Sequence, residues 1–198
     1  MHANGTLRIR IVGGSLGGLF AAALLRRDGH QIRIYERSVS GLAGRGAGLV
    51  GQRDIFAVLR AVGCEHVAHV GVVALERITF DRDGAVAHRQ ATPQMQISWN
   101  HLYRAFRALA AGDDYVLGRA VRSVRQTDEF ARLDFEDGSE EEADLVIGAD
   151  GVGSVVRQAV TGESSPSIYA GYVAWRGLLP ESAFGALAPS VSAASLCE

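Results

Sequence analysis

The run from residue 7 to residue 36 constrains the fold more than any other part of the chain. LRIRIV (7–12) reads as a short strand, and GGSLGG (13–18) is a glycine-rich turn. LFAAALLRR (19–27) is made of good helix formers and is stopped by Asp28-Gly29. QIRIY (31–35) is the next strand, closed by Glu36. A strand–turn–helix–strand unit of this kind has parallel strands and a right-handed crossover.

The turn nearly matches the dinucleotide fingerprint, with Gly13, Ser15 and Gly18 at its three glycine positions. Gly13 permits the tight turn out of the strand, the middle position admits a pyrophosphate to the backbone, and Gly18 lets helix and strand pack closely. The helix N-terminus offers free N–H groups and a positive dipole end to phosphates. Ser15 places a Cβ where the pattern has none, and adds a hydroxyl donor. Glu36 lies 23 residues after Gly13. Its carboxylate can accept both hydroxyls of an adenosine ribose and would repel a 2′-phosphate. These features do not by themselves separate FAD from NAD.

Beyond residue 36 the chain mixes patterns. Residues 41–51 carry five glycines and read as a loop. Residues 54–62 form an amphipathic helix. Residues 72–80 and 85–90 flank Asp83-Gly84 as a hairpin. Residues 100–111 form a helix stopped by Gly112, and residues 116–125 read as one strand. Ala131, Leu133 and Phe135 alternate with polar residues, Asp137-Gly138 turns the chain, and residues 145–147 are a buried strand. Glu140, Glu141 and Glu142 form a solvated hairpin arm. Residues 154–160 form a short helix, and residues 168–179 a long strand. In it Tyr169, Tyr172 and Trp175 suit sheet packing better than substrate stacking. The expected class is α/β, a parallel Rossmann-like core joined to antiparallel hairpins.

Composition excludes several classes. With 198 residues, 47% apolar and 21% charged, the chain is long enough for one domain and part of another. A net charge of −2 gives no basic nucleic-acid footprint. No apolar run approaches a bilayer span and no signal-peptide pattern opens the chain. Cys64 and Cys197 lie far apart, which fits a reducing cytoplasm. All 20 basic residues are arginine, so no lysine can act as a Schiff-base catalyst. The histidines, including the His66 and His69 pair, show no metal-ligand clustering, and no metal is expected.

The run DLVIGADG (144–151), followed by Ser154, Val155 and Arg157, resembles the second signature of FAD-dependent aromatic hydroxylases. These are class A flavoprotein monooxygenases of the para-hydroxybenzoate hydroxylase type. The opening segment and GRGAGLV (44–50) resemble that family too. Ser15, SWNHLY (98–103) and YAGYVAWRG (169–177) are similar to the 2,6-dihydroxypyridine 3-monooxygenase branch. The resemblance implies a Rossmann-like FAD-binding domain (1–71 and 98–165) and the start of a second, mostly antiparallel substrate-binding sheet (72–97 and 166–198). It implies FAD as cofactor and NADH or NADPH as electron donor. A flavin C4a-hydroperoxide would hydroxylate an aromatic or hydroxypyridine ring. The partners implied are a small aromatic substrate and molecular oxygen; a homodimer is left open.

Carried onto this sequence, the resemblance has Gly13, Ser15, Leu16 and Gly18 hold the pyrophosphate. Glu36 holds the ribose, Arg37 flanks the adenine, and Val121 contacts adenine through its backbone. Arg45 reaches the phosphates or the flavin edge, and Asp150 sits near the pyrophosphate. Arg45 also reads as a solvated loop arginine, and Asp150 as a strand-end turn residue. Many relatives carry an arginine where this chain has Trp99, so that contact is not carried over. No catalytic acid or base is identified. Relatives are longer, and their later Gly-Asp signature is not present. The alternative is therefore a truncated, non-catalytic nucleotide-binding remnant. A simple NAD-binding dehydrogenase domain is disfavoured by Asp150-Gly151 and by the Glu36-Arg37 pair.

Overall fold

The computed structural model describes residues 5–110, 112–162 and 168–174. Along the chain run β1 (Arg8–Val12), α1 (Leu16–Arg27), β2 (Gln31–Glu36), β3 (Gly48–Val50) and α2 (Arg53–Ala61). A 3-10 segment, Glu65–Val70, precedes β4 (Val72–Phe80), β5 (Val86–Ser98) and α3 (Trp99–Leu109). A further 3-10 turn leads to β6 (Tyr115–Leu117), β7 (Val121–Gln126), β8 (Ala131–Phe135), β9 (Glu140–Ala143), β10 (Leu145–Gly148) and α4 (Val155–Thr161). The backbone divides into two units. The first joins the chain up to Gly44 with Tyr103–Tyr172, and the second centres on Arg45–Leu102.

In the first unit a parallel sheet runs in the order β10-β1-β2-β6. Ile9 pairs with Ile32 and Ile11 with Ile34, and all four are buried. Those isoleucines face one side of the sheet, because strand side chains alternate. Phe20 on α1 meets Phe106 on α3 edge-on, with ring centroids 4.5 Å apart.

Arg8, Arg10 and Arg33 occupy the alternate positions on β1 and β2. A central parallel strand is ordinarily apolar on both faces. Here the Arg10 guanidinium bonds Glu141 on β9 at 2.6 Å, and Arg8 bonds Asp144 at 2.8 Å. Tyr35 donates its hydroxyl proton to the same Glu141. β9 and the residue that follows it thus supply carboxylates to match the arginines. An apolar cluster of Val12, Tyr35, Leu133, Phe135, Ala143 and Val156 is packed beside them. Glu140–Glu142 do form the expected hairpin arm, but Glu141 is not simply solvated, because it neutralises Arg10.

Within that sheet Asp134 is 4% exposed. Hydrogen bonds from Arg125 and from the Ser123 hydroxyl hold its carboxyl down to about 2. A depressed carboxyl contributes stability above its unfolded pKa and loses it as pH falls through the folded value. Asp134→Asn is therefore expected to flatten the fall in stability between about pH 4 and pH 2. The loss at neutral pH should be on the order of 1 kcal/mol, reduced by the exposure of Arg125. Denaturant melts across that pH range check it.

In the second unit the antiparallel order is β3-β5-β4. Leu59, Cys64, Val67, Ala74, Ile97 and Leu102 are buried there. Gly51 lies so close to Phe56 that a Cβ would sit 2.8 Å from the ring.

Several sequence expectations need correction. Residues 41–51 are not all loop: Gly48–Val50 pairs with β5 as a strand. α1 begins at Leu16, inside the glycine-rich turn. Residues 116–125 are two strands, not one. Gly118 takes φ +67°, and its N–H and that of Arg119 turn back to Ser38 and Glu36. That break lets β6 join the parallel sheet and β7 the antiparallel one. Residues 168–174 form no strand, and Tyr169 and Tyr172 are 70% and 74% exposed rather than packed in a sheet. A strand requires a paired backbone, and none pairs with this segment among the described residues. The rest of that expected strand, Trp175 included, lies outside them.

Candidate functional site

The candidate site is built at the C-terminal ends of β1, β2 and β10, where ligands of open α/β sheets bind. Gly13 donates its N–H to the Tyr35 carbonyl at 2.9 Å, and Ala149 donates to the Val12 carbonyl at 2.7 Å. The β1 exit is thereby held between its two neighbours. Gly13 takes φ +105°, which side chains other than hydrogen rarely permit. A Cβ there would lie 2.2 Å from the Ala149 carbonyl oxygen and 2.9 Å from the Asp150 nitrogen. The fingerprint turn and the Asp150 turn therefore touch.

Gly18 packs α1 onto the same turn, since its Cβ would fall 2.0 Å from the Gly13 carbonyl oxygen. Between them Ser15 is the N-cap of α1, at φ −79° and ψ −175°. These are ordinary extended angles, which is why a serine replaces glycine here without strain. Its hydroxyl makes no capping bond. The first-turn N–H groups, beginning with Leu16, lack intrahelical acceptors. Together they form a row of donors at the positive end of a 12-residue helix.

Glu36 closes β2 and is 6% exposed. Its Oε2 accepts the Gly14 N–H at 2.9 Å and its Oε1 accepts the Ser38 N–H at 2.8 Å. A carboxylate has about four acceptor positions, so each oxygen retains one for a ribose hydroxyl. Arg37 follows, exposed. Val121 begins β7 opposite Phe135.

The Asp150 carboxylate faces α4. Oδ1 accepts the Ser154 hydroxyl at 2.6 Å, and Oδ2 accepts the Val155 N–H at 2.7 Å. Ser154 in turn accepts the Arg157 N–H at 3.0 Å. Asp150 is thus a turn-and-cap residue whose backbone abuts Gly13.

Gly13, Ser15, Leu16, Gly18, Glu36 and Asp150 are brought together. Arg45 belongs to the second unit, where it is exposed. In that unit Trp99 donates its N–H to the Ala47 carbonyl at 3.0 Å. Its indole covers Gly46, whose Cβ would lie 2.2 Å from the ring. Trp99 therefore holds the glycine-rich loop from within.

Sequence reasoning missed Gly14 and Tyr115. A Cβ on Gly14 would meet the Tyr115 hydroxyl at 2.2 Å. That hydroxyl donates to the Gly14 carbonyl at 2.8 Å. The only signal was the adjacent pair Gly13-Gly14, read as one turn.

The residues fit a dinucleotide. Gly13, Gly14 and Gly18 leave no room for a side chain, one helix end presents donors, and a buried acid keeps two acceptor positions. The model of an FAD binding domain matches residues 6–174. A 2,6-dihydroxypyridine 3-monooxygenase of Paenarthrobacter nicotinovorans is 37% identical over 179 residues, covering 88% of this chain and 43% of that enzyme. A 3-amino-4-hydroxybenzoate 2-monooxygenase of Streptomyces cremeus is 37% identical, covering 89% and 47%. The chain therefore spans less than half the length of these relatives. The solved structure of 2,6-dihydroxypyridine-3-hydroxylase from Arthrobacter nicotinovorans superposes with a TM-score of 0.73 at 33% identity, covering 84% of this chain and 42% of that one. The motifs that resembled the flavoprotein hydroxylases thus sit in a matching fold, and the chain belongs to the FAD-binding domain family of these monooxygenases.

Proposed function

We propose that this chain is the FAD-binding part of an NAD(P)H-consuming monooxygenase that hydroxylates an aromatic or hydroxypyridine ring. The observation that carries the reading is the pairing of the donor row at Ser15–Gly18 with the buried Glu36 carboxylate. Gly13, Ser15, Leu16 and Gly18 hold the pyrophosphate, and Asp150 lines it through its backbone. Glu36 holds the ribose, Arg37 flanks the adenine, and Val121 meets it through its backbone. Arg45 reaches the phosphates or the flavin edge. Residues 1–71 and 98–165 serve the cofactor; residues 72–97 and 166–198 begin the substrate layer.

Bound FAD supplies the redox chemistry, accepting hydride from NAD(P)H and activating oxygen toward the ring. The chain's own part is to bind and orient. The names of two relatives, a dihydroxypyridine and an aminohydroxybenzoate monooxygenase, support an electron-rich ring as substrate. A second reading is a nucleotide-binding remnant without turnover, because the groups brought together at the site bind and none of them is assigned a step of the chemistry.

Oxidation of NADH or NADPH by the FAD-loaded chain, with and without a dihydroxypyridine, separates the two. Substrate-stimulated oxidation with hydroxylated product is expected of the enzyme. Retained flavin with no stimulation leaves the remnant. We place the protein in the cytoplasm on its cysteine usage; no described helix is long and apolar enough to cross a membrane.

A further inference from the structure

A chain of hydrogen bonds ends on the fingerprint turn. Leu42 donates its N–H to the Tyr103 hydroxyl at 3.3 Å. The Tyr103 and Tyr115 hydroxyls lie 3.3 Å apart. Tyr115 donates to the Gly14 carbonyl at 2.8 Å. A carbonyl can only accept, so the Tyr115 proton is committed to Gly14 and its oxygen must accept from Tyr103. The order therefore runs one way, from Leu42 through Tyr103 and Tyr115 to Gly14.

At Gly14 two adjoining peptide groups are held. The Gly14 N–H goes to Glu36 at 2.9 Å and the Gly14 carbonyl to Tyr115. Tyr103 and Tyr115 are each 5% exposed. The Arg107 guanidinium lies over the Tyr115 ring, 4.2 Å from its centroid. Burial, then the bond with Tyr103, push the Tyr115 hydroxyl well above the ordinary phenol range, so it stays a proton donor.

We propose that Tyr115, backed by Tyr103, is a positioning residue of the dinucleotide site. By fixing the plane of the Gly14–Ser15 peptide it aims the Ser15 and Leu16 donors outward, and it ties that aim to the segment around Leu42. The inference rests on the reading of this turn as the pyrophosphate cradle. Neither tyrosine touches the cofactor in it; both act through Gly14.

The test uses the full chain with Tyr115→Phe, Tyr103→Phe and the double variant. ADP and FAD are the probes, and binding is measured well below each melting temperature. Tyr115→Phe is expected to raise both dissociation constants roughly tenfold, the loss of one buried hydrogen bond to a carbonyl left without a partner. Tyr103→Phe should raise them by about threefold, and the double variant should match Tyr115→Phe within about twofold, because both residues act on one bond. Amide spectra of the nucleotide-free chain give a second readout: Tyr115→Phe should move the Gly14 and Leu42 N–H signals together.

Wild-type chain that binds neither probe overturns the cradle reading, and with it the role proposed for the tyrosines. Wild-type chain that binds while Tyr115→Phe binds equally well overturns the tyrosine role alone. So do additive single effects, or Gly14 and Leu42 signals that do not move. A variant that loses melting temperature but keeps its dissociation constant shows packing only, and equally overturns it.

Discussion

Gly18→Ala is expected to abolish FAD uptake, and Gly13→Ala to do the same. Each added methyl meets backbone, at 2.0 Å from the Gly13 carbonyl oxygen and 2.2 Å from the Ala149 carbonyl oxygen. Backbone at a three-way junction of β1, α1 and β10 cannot swing aside as a flexible side chain can. Gly13→Ala adds a forbidden φ of +105°, a strain on the order of 1–3 kcal/mol. With overpacking of about 1–3 kcal/mol, the melting temperature should fall by roughly 10 °C. Affinity should drop at least about a hundredfold, because 2.7 kcal/mol or so of misplacement suffices. Gly17 is the internal control. A Cβ there meets nothing within 4 Å, and alanine improves helix propensity by about 1 kcal/mol. Gly17→Ala should therefore keep or raise the melting temperature. Thermal melts of the three variants, with FAD titrations of each, check the contrast.

Glu36→Ala should have an effect of the same order for a different reason. The carboxylate accepts two backbone N–H groups, from Gly14 and Ser38, inside the structure. Removing it leaves both donors without partners, at about 1–3 kcal/mol each. It also removes the acceptors proposed for the ribose hydroxyls. Glu36→Gln distinguishes the two losses. One amide oxygen can still accept one N–H, so most of the fold is retained, while the amide nitrogen cannot accept. FAD affinity should fall by about tenfold in Glu36→Gln and by about a hundredfold or more in Glu36→Ala. Equal affinity in Glu36→Gln and wild type would remove Glu36 from the ribose role and leave it as a clamp on Gly14.

Much of this site was legible in the sequence because its physics is local. A strand, a turn that must be glycine, a helix start and an acid at the end of the next strand lie within 30 residues of one another. Short-range rules suffice to put Gly13, Gly18 and Glu36 together. What escaped was long-range. Tyr115 lies 101 residues from Gly14, and nothing in YVLGRAV announces that its hydroxyl turns toward the first turn of the chain. The charges on β1 are similar. The partners of Arg8 and Arg10, Asp144 and Glu141, arrive from the turn after β9 and from β9, 136 and 131 residues along the chain. The break at Gly118 was missed because residues 116–125 are uniformly strand-like. Only the second sheet, which claims Val121 and its neighbours, explains the bend. At residues 168–174 the aromatic pattern suggested a strand, but pattern without a pairing partner does not make one.

The chain covers less than half of the monooxygenases it matches, so the central claim is that the FAD site is already formed within it. The most direct test is the visible absorption spectrum of the purified chain, recorded before and after adding FAD and removing the excess by gel filtration. A flavin band that travels with folded protein is the predicted result, and it should be lost in Gly18→Ala. A folded chain that elutes colourless after FAD addition would contradict the account.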